Sequence, residues 1–212
     1  MRNLGIAAIF TCGAVAQAEP VTIAALGDSL TAGYGLEADD GLVPQLEAWL
    51  NDNGADVVLI NAGVSGDTTA GGLSRVGWTL TPDVDGMIVT LGGNDFLRGI
   101  DPAVSRENLR GILQAAKNAD VDVLLIGIEA SNNYGPDYKA AFDSMYPDLA
   151  AEFGVQLVPR FFQGVLDAAG VQDNVRNYMQ RDRIHPNPAG VKVIVETLGP
   201  EVLAFVTRVS AQ

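Results

Sequence analysis

Ser29, Asp182 and His185 are the side-chain types of a nucleophile, an orienting carboxylate and a general base, and His185 is the only histidine in the chain. A serine hydroxyl attacks poorly near neutral pH, so it needs a base within hydrogen-bond reach and, behind the base, a group that fixes the imidazole tautomer. Asp182 stands three residues before His185 in "DRIHPN" (182–187). Pro186 biases His185 toward extended backbone, and Asn187-Pro188 has the form of a helix cap followed by the first helical residue. The two side chains therefore share one tight loop, where the carboxylate can accept from one ring nitrogen while the other faces a serine. The candidate serine is Ser29 in "LGDSLTAGYG" (26–35), a polar residue set directly after an apolar stretch. A serine in that place can also cap a helix. Ser65 in "GVSGD" is the rival nucleophile, and the chain contains no G-x-S-x-G elbow of the α/β-hydrolase kind.

Attack on a carbonyl creates an oxyanion, and loss of one donor to it typically costs about two to three orders of magnitude in rate. Three donors are available: the Ser29 N–H, the Gly63 N–H, which lacks a side chain to block its approach, and the side-chain amide of Asn94 in "LGGND". The same "GGND" run is good turn chemistry. Asp28 reads as a loop or helix-start carboxylate, Asn61, Asp67 and Asp95 as loop hydrogen-bonders, and Tyr34, Trp49 and Trp78 as packing residues. A lone histidine with no cysteine beside it does not make a zinc site, which takes three or four ligands. No metal or organic cofactor is expected.

The elements that must position these residues are strands and helices in alternation. Short apolar runs at 21–26, 56–62, 86–91, 121–128 and 155–159 are continuously rather than alternately apolar, as in strands buried on both faces of a parallel sheet. Helical patterns fall at 42–54, at 105–119 starting on a Ser105 cap, at 136–154 with a bend or break at Pro147, and at 188–209. The order implies an α/β fold: a three-layer, doubly wound, flavodoxin-like sandwich around a parallel sheet of about five strands. Ligands of such sheets bind beyond the carboxyl ends of the strands. Ser29 follows the first strand, Asn61-Ala62-Gly63 closes the second, and Gly92-Gly93-Asn94-Asp95 closes the third. The loop before the last helix carries Asp182 and His185.

These four blocks together resemble the SGNH, or GDSL, hydrolase superfamily, and are most similar to its bacterial exported thioesterase/lysophospholipase/arylesterase group. "GDSLTAGYGL", "NAGVSGDTTAGGLSR", "LGGNDFLRGI", "NYGPDY" and "DRIHPN" carry the resemblance across nearly the whole chain. It implies Ser29 as nucleophile, Asp182 and His185 as its partners, and Gly63 and Asn94 as oxyanion donors, the positions reached from residue chemistry. It also implies an acyl-chain site between the loops at 96–100 and 129–138.

Composition bounds the rest. The 212 residues suffice for one domain, with 48% hydrophobic and 18% charged residues. Residues 1–18 read as a cleaved signal peptide: Arg2, an apolar run at 4–16 too short to span a bilayer, and the small-x-small triplet Ala16-Gln17-Ala18. The alternative is a lipid anchor on Cys12, against which Phe10 occupies a position that wants a small residue. Residues 19–212 then form the single hydrolase domain, exported to the periplasm or secreted. Its only cysteine, Cys12, leaves with the signal, so no disulfide or thiolate nucleophile remains. The net charge of −13 argues against nucleic acid or anionic membrane surfaces as partners. The expected partners are a small-molecule acyl ester or thioester and water. A carbohydrate O-deacetylase and a catalytically silent ligand-binding module are the competing functions.

Overall fold

A computed structural model describes residues 19–212. The expected signal segment, with Cys12, lies outside the described residues. Five strands form one sheet: β1 (Val21–Gly27), β2 (Val57–Gly63), β3 (Gly86–Thr90), β4 (Asp122–Ile126) and β5 (Gln156–Val158). Their order is β2-β1-β3-β4-β5 and every pairing is parallel. The helices are α1 (Ser29–Ala32), α2 (Leu42–Asp52), α3 (Thr69–Thr79), α4 (Gly93–Leu97), α5 (Pro102–Asn118), α6 (Pro136–Phe153), α7 (Gln163–Ala169) and α8 (Pro188–Val209). Helices α2, α7 and α8 pack together in one layer, and α3, α5 and α6 in the other. This is the expected doubly wound sandwich. Strand order reverses direction between β1 and β3, and the crevice of such a sheet opens at that switch point.

β1, β3 and β4 are buried almost throughout, which explains their continuous apolar runs. β2 differs from expectation. As an edge strand it has α2 against one face, so Val57 and Leu59 are buried while Val58 and Ile60 are exposed. The helix expected to start at Ser105 starts earlier: Asp101 caps it by accepting from the Ala103 N–H (2.9 Å), and Pro102 follows. Ser105 is buried and donates its hydroxyl to Asp95 at 2.9 Å. α6 continues through Pro147 as one helix.

Helix α3 escapes a reading of periodicity because Gly71, Gly72 and Gly77 weaken its helical propensity. Thr68 caps it by accepting from the Gly71 N–H, and Gly72 is required by close packing, since a Cβ there would overlap Leu91. Of the tryptophans, Trp49 packs against Gly199 of α8, as a packing residue should. Trp78 does not: it is 86% exposed on α3. No helix among the described residues is long and apolar enough to cross a membrane.

Candidate active site

Ser29 is the first residue of α1, immediately beyond β1. The helix-capping role open to it is filled by its neighbour: Asp28 is the N-cap and accepts from the Leu30 N–H at 3.0 Å. The Ser29 hydroxyl is thereby free to turn outward, and its Oγ lies 2.8 Å from His185 Nε2 across 156 residues of sequence. His185 Nδ1 lies 2.7 Å from Asp182 Oδ2. An ionised carboxylate only accepts, so Nδ1 carries the proton and Nε2 presents its lone pair to the serine O–H.

The loop holding these two groups is tightly tied. Asp182 Oδ1 accepts from the backbone N–H groups of Ile184 (3.0 Å) and His185 (3.1 Å). Burial alone would raise the Asp182 carboxyl, but the bonds from the His185 ring and these two N–H groups outweigh it and hold it at about 2. Arg183 adopts a left-handed φ of 60° inside the turn. Gln180 joins the loop to the first block: its backbone N–H donates to the His185 carbonyl (2.8 Å) and its side-chain amide to the Tyr34 carbonyl (2.7 Å). The Tyr34 ring sits 4.6 Å from the imidazole, centroid to centroid. This tyrosine is half exposed and packs against the candidate base rather than into the core. Ser65 lines the same cleft, but the imidazole nitrogen faces Ser29.

Asn94 lies in α4, beyond β3, with its Nδ2 donating to Asp28 Oδ2 at 3.2 Å. Gly92 makes the turn into α4 with φ 122°, and a side chain there would overlap the Tyr146 hydroxyl. The Ser29 N–H occupies the first turn of α1, where helices leave donors without internal partners.

Gly63 does not join this group. It is the last residue of β2, its N–H donates to Asn61 Oδ1 at 3.0 Å, and a Cβ on it would overlap the backbone of Ala32. It is a glycine so that α1 can cross the end of β2, and its donor is already committed. Gly66, three residues on, lines the cleft beside Ser65 and Asn94 with φ 87°. Its N–H makes no hydrogen bond among the described residues, and its carbonyl is held by Arg98 Nη2 at 2.8 Å. The sequence reading missed it.

The cleft around Ser29 has a volume of about 440 Å³. Phe96, Leu97, Ile128, Phe162 and Ile184 supply apolar wall, with Arg183 and Glu129 among the polar residues. Two of these, Phe96 and Leu97, belong to the expected 96–100 loop but are in fact the last residues of α4, whereas the 129–138 loop contributes only Glu129 directly. The rest of that loop acts from behind: the Tyr134 ring meets Phe96 edge-on at 5.9 Å, and Tyr138 donates to the Ile100 carbonyl at 2.8 Å.

Comparison with known proteins shows the family. The chain is 41% identical over 185 residues to the esterase TesA of Pseudomonas aeruginosa, covering 87% of this chain and 89% of that one. It is 37% identical over 192 residues to thioesterase 1/protease 1/lysophospholipase L1 of Escherichia coli K12, covering 88% and 86%. The crystal structure of AlinE4, an SGNH-hydrolase family esterase, superposes with a TM-score of 0.72 at 41% identity, covering 89% of this chain and 98% of that one. Residues 25–193, which hold all four blocks, match the family model, and the chain belongs to the GDSL-like lipase/acylhydrolase family.

Proposed function

We propose that this family member is an exported serine esterase that cleaves carboxylic esters or thioesters of fatty acyl or aryl type through an acyl-serine intermediate. The observation that carries the reading is the unbroken line from Asp182 Oδ2 through the imidazole to Ser29 Oγ, with links of 2.7 and 2.8 Å. Ser29 attacks the carbonyl carbon while His185 Nε2 takes its proton, and Asp182 holds the ring and favours the imidazolium that forms. The oxyanion lies against the Ser29 N–H, the Gly66 N–H and the second hydrogen of Asn94 Nδ2. Collapse of the tetrahedral species expels the alcohol or thiol, which leaves with the proton from His185. Water then attacks the acyl carbon while losing a proton to the same nitrogen, and the bond to Ser29 Oγ breaks as that proton passes to Oγ, releasing the acid.

The apolar wall of Phe96, Leu97, Ile128, Phe162 and Ile184 favours an acyl or aryl group over a sugar-borne acetyl group. Export rests on the sequence pattern of residues 1–18. A fluorophosphonate probe should label Ser29 in the native enzyme and leave Ser29→Ala unlabelled and inactive on p-nitrophenyl esters. Retained esterase activity in Ser29→Ala would overturn the mechanism. Faster turnover of acetylated glycans than of any p-nitrophenyl ester would transfer the assignment to deacetylation.

A further inference from the structure

We propose that Asp28 is a positioning residue: its carboxylate fixes which end of the Asn94 side chain faces the reacting carbonyl. The inference rests on the oxyanion role given to Asn94 above. An amide side chain has a donor end and an acceptor end of nearly equal shape, and only its hydrogen-bond partners decide which points where. Asp28 is 1% exposed. Its Oδ1 is occupied by the Leu30 N–H at 3.0 Å, which leaves Oδ2 for Asn94 at 3.2 Å. An ionised carboxylate offers only acceptors, so Asn94 must turn its NH₂ to Asp28. One hydrogen of that nitrogen bonds the carboxylate and the other remains for the oxyanion.

The charged and titratable groups facing Asp28 fit this assignment. His185 approaches from the loop before α8, Asp95 from α4 and the neutral Tyr146 phenol from α6. Burial pushes the Asp28 carboxyl up to about 6, with Asp95 adding to it, against the opposing effects of the Leu30 N–H, the Asn94 amide and His185. Proton uptake there replaces an acceptor by a hydroxyl facing the Asn94 donor, so the arrangement fails on acidification.

Asp28→Asn is the discriminating change, because asparagine caps helices as well as aspartate. Its Oδ1 keeps the Leu30 N–H and its NH₂ then confronts Asn94, which turns its carbonyl toward it and withdraws a donor from the cleft. The expected result, on p-nitrophenyl butyrate, is a kcat lower by about 10²-fold with KM within about twofold, close to the loss in Asn94→Ala. The double variant Asp28→Asn/Asn94→Ala should be no slower than Asn94→Ala alone, since the amide to be misdirected is gone. The acid limb of log kcat/KM should steepen toward two protons below about pH 6 in the wild type and keep a one-proton slope in Asp28→Asn. Full multiplicative loss in the double variant, or equal acid slopes in both proteins, would overturn the proposal while leaving the acyl-serine mechanism intact. Undiminished kcat in Asn94→Ala would overturn both this proposal and the oxyanion role on which it rests.

Discussion

Replacing Asp28 by asparagine should strengthen the fold while it weakens catalysis, and the size of the effect follows from the buried carboxyl. In the folded protein this group takes up its proton at about 6, against 3.8 for the ordinary side chain, with burial as the leading cause. Two units or so at about 1.4 kcal/mol each give roughly 3 kcal/mol, the penalty the native state carries when Asp28 is ionised. The sign is opposite to that of most native carboxylates. A raised value means that the folded chain binds the proton more tightly than the unfolded chain, so this group's contribution favours folding at low pH and is lost as pH rises from about 4 through 6. Asparagine has no charge to bury, so Asp28→Asn escapes that loss. It also reverses the hydrogen bond with Asn94, a rearrangement costing about 0.5–1.5 kcal/mol. The net expectation is a variant more stable by roughly 1.5–2.5 kcal/mol at pH 8 and equal or slightly less stable at about pH 4. Guanidinium chloride unfolding of both proteins at a series of pH values reads the difference directly as a shift in midpoint. A stability difference that stays constant across the series, or a variant less stable at pH 8 than at pH 4 relative to wild type, would refute the reasoning about the buried charge.

Two further outcomes follow from the site. Asp182→Asn should preserve the loop but present the imidazole in the wrong tautomer, lowering kcat by about 10³–10⁴-fold in steady-state assays on p-nitrophenyl esters, and an unchanged kcat would remove Asp182 from the mechanism. The two glycines of the second block should separate by phenotype. Gly63→Ala drives a methyl group into Ala32 and should lower stability by about 1–3 kcal/mol with near-normal kcat per folded molecule. Gly66→Ala meets no close atom but strains a left-handed backbone, so its loss, about 10²-fold, should appear in kcat. The reverse pattern would restore Gly63 as the donor.

The layered fold was legible because the strands that carry the site, β1 and β3, lie in the middle of the sheet and are apolar on both faces. The edge strand β2 was read less well: its exposed face bears Val58 and Ile60, which a hydrophobic run does not distinguish from buried residues. Ser29, Asn94, Asp182 and His185, which the fold brings together, could be singled out as candidates because side-chain chemistry limits the choice of nucleophile, base and amide donor. A backbone donor leaves no such mark. Gly63 and Gly66 are chemically identical and three residues apart, and only their surroundings separate them. One signal was available, since an asparagine commonly bonds the N–H two residues on, and Asn61 does so to Gly63. The short helices α1 and α4 are too brief for periodicity and exist because caps and tertiary contacts hold them.

The residues read only as loop hydrogen-bonders turn out to frame the site. Asp95 is fully buried and accepts from the Thr69 N–H (2.8 Å), the Thr69 hydroxyl (2.6 Å) and the Ser105 hydroxyl (2.9 Å), so it joins the starts of α3, α4 and α5. Asp67 pairs with Arg75 at 2.6 Å, and the same guanidinium donates to the carbonyls of Ala62 (2.6 Å) and Gly27 (2.8 Å), tying the ends of β1 and β2 to α3. Arg98 completes the frame at the Gly66 carbonyl. Every segment that offers a donor in the proposed oxyanion site is therefore cross-bonded to another such segment. Donors held this way need no rearrangement as charge develops, which is what makes electrostatic stabilisation of a transition state effective. The polar residues around the site thus spend their hydrogen bonds on one another, while Ser29, Gly66 and Asn94 each keep one donor unspent among the described residues, as the proposed oxyanion role requires.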